Sequence, residues 1–251
     1  MFRSRLGLLS LSAVVLGLMA MSASSAQAGL SWLVLNAAHT IATEIQAPGG
    51  VINLLVPVTG ERESAHLSLK AKLVNTEVIF TCNGLTTAGI HLAQEGKLTE
   101  GFKATFSGCE LYSGPGPLDG LIACTVKTAG SPSGTLVTNE LKGSLVLNES
   151  EVQMLIEPRA AGGSLIVIRL EGGGCGYPES NQLKGVLYLK DTSATTHGEK
   201  HLVVQGPTAG QLYFGNHSNE QLEKTKINGS AWFKLGGMTH AGLHWAAMDV
   251  P

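Results

Sequence analysis

The chain carries one phrase twice, and that recurrence constrains its fold more than any other feature. Asn-Glu-Leu-Lys-Gly-Ser-Leu-Val-Leu-Asn-Glu-Ser starts at Asn139, and Asn-Gln-Leu-Lys-Gly-Val-Leu-Tyr-Leu-Lys-Asp-Thr starts at Asn181; six of twelve positions agree at an offset of 42. The phrase has the period of a strand: Leu141, Gly143, Leu145 and Leu147 share one face, and Lys142, Ser144 and Val146 share the other. A third version, Ile227 to Phe233, is displaced 44 from the second and places Ile227, Gly229, Ala231 and Phe233 inward. A fourth, at Gly101, keeps the spacing but turns Phe102, Ala104 and Phe106 to the opposite face. Such a period fits consecutive hairpins of an all-β, antiparallel β-sandwich or barrel. It is also the length of a propeller blade, which makes a β-propeller-like fold the alternative, although no aromatic blade signature recurs. Glycine on an inward face leaves room for a bulky neighbour or for sharp curvature.

The remaining chain reads the same way. Residues 31–36, 51–58, 66–73, 77–82, 102–106, 121–126, 201–205 and 211–215 are apolar, alternating or β-branched enough for strands. Residues 152–157 and 165–170 read as a strand pair, and 171–177 as a glycine-rich loop that holds Cys175. A helix is admissible only at 219–224.

Residues 1–28 read as a signal peptide. Arg3 and Arg5 precede an apolar run too short to span a bilayer, and Ala26-Gln27-Ala28 supplies the small-x-small cleavage pattern. The mature chain, 29–251, then has 223 residues (251 − 28) and forms a single domain. Without Arg3 and Arg5 it carries 15 basic side chains (17 − 2) against 19 acidic, a net −4, so nothing attracts nucleic acid or an anionic membrane. No second long apolar run follows, so no transmembrane segment is expected after cleavage.

Four cysteines, Cys82, Cys109, Cys124 and Cys175, form an even set in an exported chain and imply two disulfides. Three connectivities are open. Cys82 lies 19 residues before Gly101 and Cys124 lies 19 before Gly143, so each occupies an equivalent position and is expected to pair forward, Cys82 with Cys109 and Cys124 with Cys175.

No motif announces a reaction. His197 and His201, and again His240 and His244, are four apart, which chelates a metal on a helix but separates the rings by roughly 13 Å on a strand. Their neighbourhoods read as loop or strand, so no metal site, cofactor or catalytic residue is expected. Gly130-Ser131-Pro132-Ser133-Gly134 fails as a nucleophile elbow because its centre is proline. Gly172-Gly173-Gly174 has no following lysine to make a phosphate loop. Glu149 with Glu151, and Glu157 with Asp119, are the carboxylates formally open to glycoside hydrolysis. Trp232 and Trp245, with His240 and His244 nearby in sequence, are the candidate ligand-binding residues; Trp232 falls on the outward face of its strand.

One further pattern comes from the order of short motifs. Phe80-Thr81-Cys82, Phe106-Ser107-Gly108-Cys109, the Leu-Lys-Gly strands, Ile156-Glu157-Pro158, and Gly229-Ser230-Ala231-Trp232 with His240-Ala241-Gly242 resemble a group of signal-bearing, β-rich exported proteins of soil actinobacteria. The resemblance implies a disulfide-containing β protein and brings over no activity, cofactor or catalytic residue. The chain departs from the group in its Gly172 to Gly176 loop, which leaves the partner of Cys175 open. The expectation is a secreted or envelope-associated, non-enzymatic β protein with a structural, adhesive or binding role toward an envelope polymer or glycan. The alternative is a secreted polymer hydrolase.

Overall fold

The computed structural model describes residues 29–35, 42–44, 51–54, 67–114, 120–148, 151–193, 199–204, 212–218, 221–236 and 243–250; at 42–44, 51–54, 199, 201 and 248–250 only the backbone is described. The expected signal peptide, His197 and His240 lie outside these residues. Strands and turns make up the described chain, with no helix.

The largest sheet has nine strands. Its path runs β11 (Leu141–Asn148), β12 (Glu151–Pro158), β15 (Leu187–Asp191), β16 (Glu199–Val204), β19 (Lys226–Gly236), β4 (Leu67–Leu73), β5 (Thr76–Cys82) and β8 (Glu110–Ser113). The long β19 borders β4 with its first half and β3 (Val51–Leu54) with its last. A five-stranded sheet runs β18 (Leu222–Lys224), β17 (Leu212–Asn216), β14 (Ser180–Gly185), β13 (Ser164–Glu171) and β9 (Thr125–Lys127). Two three-stranded sheets complete the described strands: β10 (Leu136–Val137), β7 (Lys103–Ser107) and β6 (Gly84–Ala88); and β2 (Ala42–Glu44), β1 (Gly29–Leu35) and β20 (His244–Val250). All these ladders are antiparallel and none closes into a barrel, so the architecture is a layered sandwich. Nor do the sheets form the uniform four-stranded blades of a propeller.

Alternation places the core. In β4, Leu69, Ala71 and Leu73 are buried while Lys70 and Lys72 face solvent. Register then lines these residues into rows: Ile227, Leu69, Phe80 and Leu111 stand side by side across four strands, all buried. Phe80 meets Phe214 of β17 edge-on at 5.3 Å, joining the large sheet to the five-stranded one. Each such side chain contributes about 1.5–3 kcal/mol by leaving water. The outward faces carry cross-strand ion pairs, among them Lys70 with Glu77 at 2.6 Å and Lys142 with Glu157 at 3.3 Å, both solvent-exposed and of small energetic weight.

Both expected disulfides are present, Cys82–Cys109 and Cys124–Cys175, closing 27 and 51 residues of chain. In the chain-entropy account these loops are worth about 3.6 and about 4.1 kcal/mol. The bridges are compatible with an extracellular location.

Several sequence expectations need correction. The segments 152–157 and 165–170 are strands but not partners: β12 pairs with β11 and β15, whereas β13 pairs with β14 and β9 in another sheet. Pro158 ends β12, and the turn after it carries the chain across the sandwich. Leu222–Lys224 is the edge strand β18, not a helix, because it finds β17 to pair with. Of 121–126 only the end is strand. The phrase is strand-forming in all three copies, yet its second copy breaks at Gly185 (φ 120°), giving β14 to one sheet and β15 to the other. Leu147, assigned inward, is exposed because it lies at the turn end of the β11–β12 hairpin, paired with Val152.

Candidate functional site

The residues singled out by sequence are not brought together as a reaction centre. Trp245 lies on β20, buried, with its ring 5.6 Å from that of Trp32 on β1. It is part of the core and offers no exposed stacking face. Trp232 is half-buried on the outward face of β19, between inward Ala231 and Phe233. His244 is half-buried on β20, and His240 is outside the described residues. Among the described residues no cluster of three or more His, Cys, Asp and Glu side chains could hold a metal. The described carboxylates also disperse. Glu151 is salt-bridged to Lys190 at 2.5 Å, and the hydrogen bond from that ammonium holds its carboxyl below the usual range; Glu157 faces Lys142. Glu149 and Asp119 lie outside the described residues.

What the layers do leave between them is a cavity of about 160 Å³. One wall is the inner face of the nine-stranded sheet, represented by Leu69, Ile156, Leu202 and Ala231. The opposite wall comes from the two smaller sheets: Leu85, Ala104 and Phe106 on β6 and β7, Ile168 and Leu183 on β13 and β14. The Cys82–Cys109 bridge ties down one side, since Cys82 itself lines the space. Protein interiors seldom hold voids larger than a water molecule. At about 24 cal/mol per Å³, leaving this volume unfilled costs about 4 kcal/mol.

The wall is nearly all carbon, and no charged side chain among the described residues reaches it. Three hydroxyl-bearing residues border it: Thr87, Thr138 and Ser230. Thr138 Oγ1 accepts the Ala104 N–H at 2.9 Å, and Ser230 holds an outward register position on β19. Thr87 differs. Its hydroxyl is buried and has no hydrogen-bond partner among the described residues. In β6 Leu85 and Thr87 alternate with exposed Thr86 and Ala88, so the alternation itself turns Thr87 inward opposite Ala104.

A second, smaller space of about 20 Å³ lies at the end of the same inner face, between Trp32, Gln153, Asp191, Lys200 and Trp245. Lys200 is 1 % exposed, and its Nζ stands 3.3 Å from Asp191 Oδ2. Asp191 also accepts the Ser193 N–H at 2.9 Å. Trp245 Nε1 is buried there without a partner among the described residues. The space has the size for one water molecule. Met154, Leu189 and Leu202 border both spaces, so a single layer of side chains separates the ion pair from the apolar cavity.

Sequence reasoning missed both features. Lys200 left a signal: it shares its strand face with Leu202 and Val204, and a lysine in an apolar row needs a buried partner. Thr87 left none, since an alternating threonine in a short strand is ordinary. The cavity left none either, because each lining residue by itself reads as core.

No family model, curated protein or solved structure matches the chain.

Proposed function

We propose that this is an exported, non-enzymatic binding protein that takes a small apolar molecule between the layers of its sandwich. The observation that carries this reading is the cavity of about 160 Å³ with its carbon-lined wall. An engineered cavity of about 150 Å³ with a similar lining binds benzene, which sets the scale of ligand that fits. A molecule of that kind returns the dispersion contacts the cavity forfeits, and it meets no buried charge that would need compensation. Two disulfides support a role outside the cell or at its envelope, where a rigid frame keeps the two walls apart. The hydrolase alternative has no observation of its own, since Glu151 and Glu157, the described carboxylates it would use, are spent in surface ion pairs.

The test is a titration of the purified mature protein with ethylbenzene, followed by methyl NMR and thermal unfolding. Chemical-shift changes should concentrate at Leu69, Ile156, Leu183 and Leu202, and the melting temperature should rise with ligand concentration. At a hundredfold excess over Kd the gain is about 2.7 kcal/mol. Unmoved methyl signals at saturating ethylbenzene would refute the reading.

A further inference from the structure

Resting on that binding reading, we infer that the cavity selects a neutral apolar molecule bearing one hydrogen-bonding group, a hydroxyl or a carbonyl, held by the Thr87 hydroxyl. Three observations converge on it. Thr87 borders the cavity, and its Oγ1 is buried with no partner among the described residues. A buried hydroxyl left unmatched is costly, so a ligand atom that donates to or accepts from it gains what the described residues do not supply. The neighbouring hydroxyl already has a partner, since Thr138 Oγ1 accepts the Ala104 N–H at 2.9 Å. The wall therefore presents one principal polar anchor in an otherwise carbon surface.

Charge is selected against by the same wall. No Lys, Arg or His among the described residues reaches the cavity, so a carboxylate inside it would be desolvated without a counter-ion. The buried cation Lys200 is committed to Asp191 behind Met154, Leu189 and Leu202. The expected ligand class is thus a short-chain or monocyclic alcohol, phenol or ketone, and not a fatty-acid anion.

The test compares ethylbenzene, 4-ethylphenol and 4-ethylbenzoate on the mature protein and on Thr87→Val and Thr87→Ser, by calorimetry and methyl NMR. Valine is close to threonine in shape and removes only the hydroxyl, and circular dichroism checks that each variant is folded. Thr87→Val should weaken 4-ethylphenol by about fivefold to tenfold while leaving ethylbenzene unchanged or tighter, Thr87→Ser should retain the wild-type preference, and 4-ethylbenzoate should not bind at neutral pH. Comparing two ligands across two proteins cancels the different cost of drying each ligand. If ethylbenzene binds but Thr87→Val shifts both neutral ligands equally, or if 4-ethylbenzoate binds as tightly as the phenol, this inference is overturned and the binding reading stands. If none of the three binds, both fall.

Discussion

Filling the cavity from within should stabilise the protein and silence it together. Ala231 is buried at the centre of β19, borders the cavity, and stands beside Leu202 in the register of the large sheet. Ala231→Leu adds three carbons to that space. At about 0.8 kcal/mol per buried methylene the transfer gain is about 2.4 kcal/mol. Fixing the leucine rotamer returns about 0.5–1 kcal/mol, leaving a net gain of about 1.5–2 kcal/mol. For a chain of this size that raises Tm by roughly 3–8 °C. Urea unfolding of the ligand-free protein measures the gain, and the midpoint should move with an unchanged slope. In the same variant the rise in Tm produced by ethylbenzene should shrink or vanish, because protein carbon and ligand compete for one volume. The reasoning fails if Ala231→Leu instead loses about 1–3 kcal/mol, the signature of overpacking, while ethylbenzene still binds as in wild type. That outcome would mean the space beside Ala231 does not accept added carbon.

Two other perturbations test how the frame is held. Asp191→Ala should cost about 3–5 kcal/mol in urea unfolding because it removes the carboxylate that balances the buried Lys200 ammonium, whereas the double change Lys200→Met with Asp191→Leu should fall near wild type or above it. An Asp191→Ala protein as stable as wild type would show that the ammonium does not depend on this carboxylate. Gly143→Ala and Gly185→Ala should each cost about 1–3 kcal/mol, the first by steric contact with Leu98 and the second by backbone strain. Leu98→Ala should therefore relieve part of the first penalty and none of the second; equal relief of both would contradict the distinction.

Most strands were legible because burial on one face writes a period of two into the sequence. Leu69, Ala71 and Leu73 against Lys70 and Lys72 is the plain case. The disulfides were legible through spacing, since both forward pairings follow from equating Cys82 with Cys124. What escaped was set by partners distant in the chain. Leu222–Lys224 has too few residues to declare itself, and it is a strand only because β17 lies beside it. The β4–β5 hairpin turns on Val74 and Asn75, both at positive φ (46° and 66°), where asparagine and glycine are the usual signal and valine is a strained choice. The alternation of 152–157 and 165–170 fixed which residues face inward but held no record of which sheet each strand joins. The cavity is the extreme case: Leu85, Ile168 and Leu202 are unremarkable singly, and the space among them is a property of three sheets at once.

The repeated phrase shows why likeness of sequence did not become likeness of structure. In its first copy Gly143 sits inside an unbroken strand, and its missing side chain is what matters. A Cβ there would lie 2.7 Å from Leu98 and 2.9 Å from Ile156, so glycine lets the segment around Leu98 dock on the strand, where the Leu98 N–H donates to the Gly143 carbonyl at 2.8 Å. In the second copy the equivalent Gly185 is used for its φ of 120°, a conformation open mainly to glycine, and the chain leaves one sheet for another within a residue or two. Leu183 and Leu187 flank that bend on β14 and β15, and both border the cavity. The second copy therefore spans from one wall to the other, fixing their separation at one edge of the space. The same Leu-Lys-Gly triplet seals the sandwich where a neighbour covers its glycine, and joins the two walls where the backbone bends.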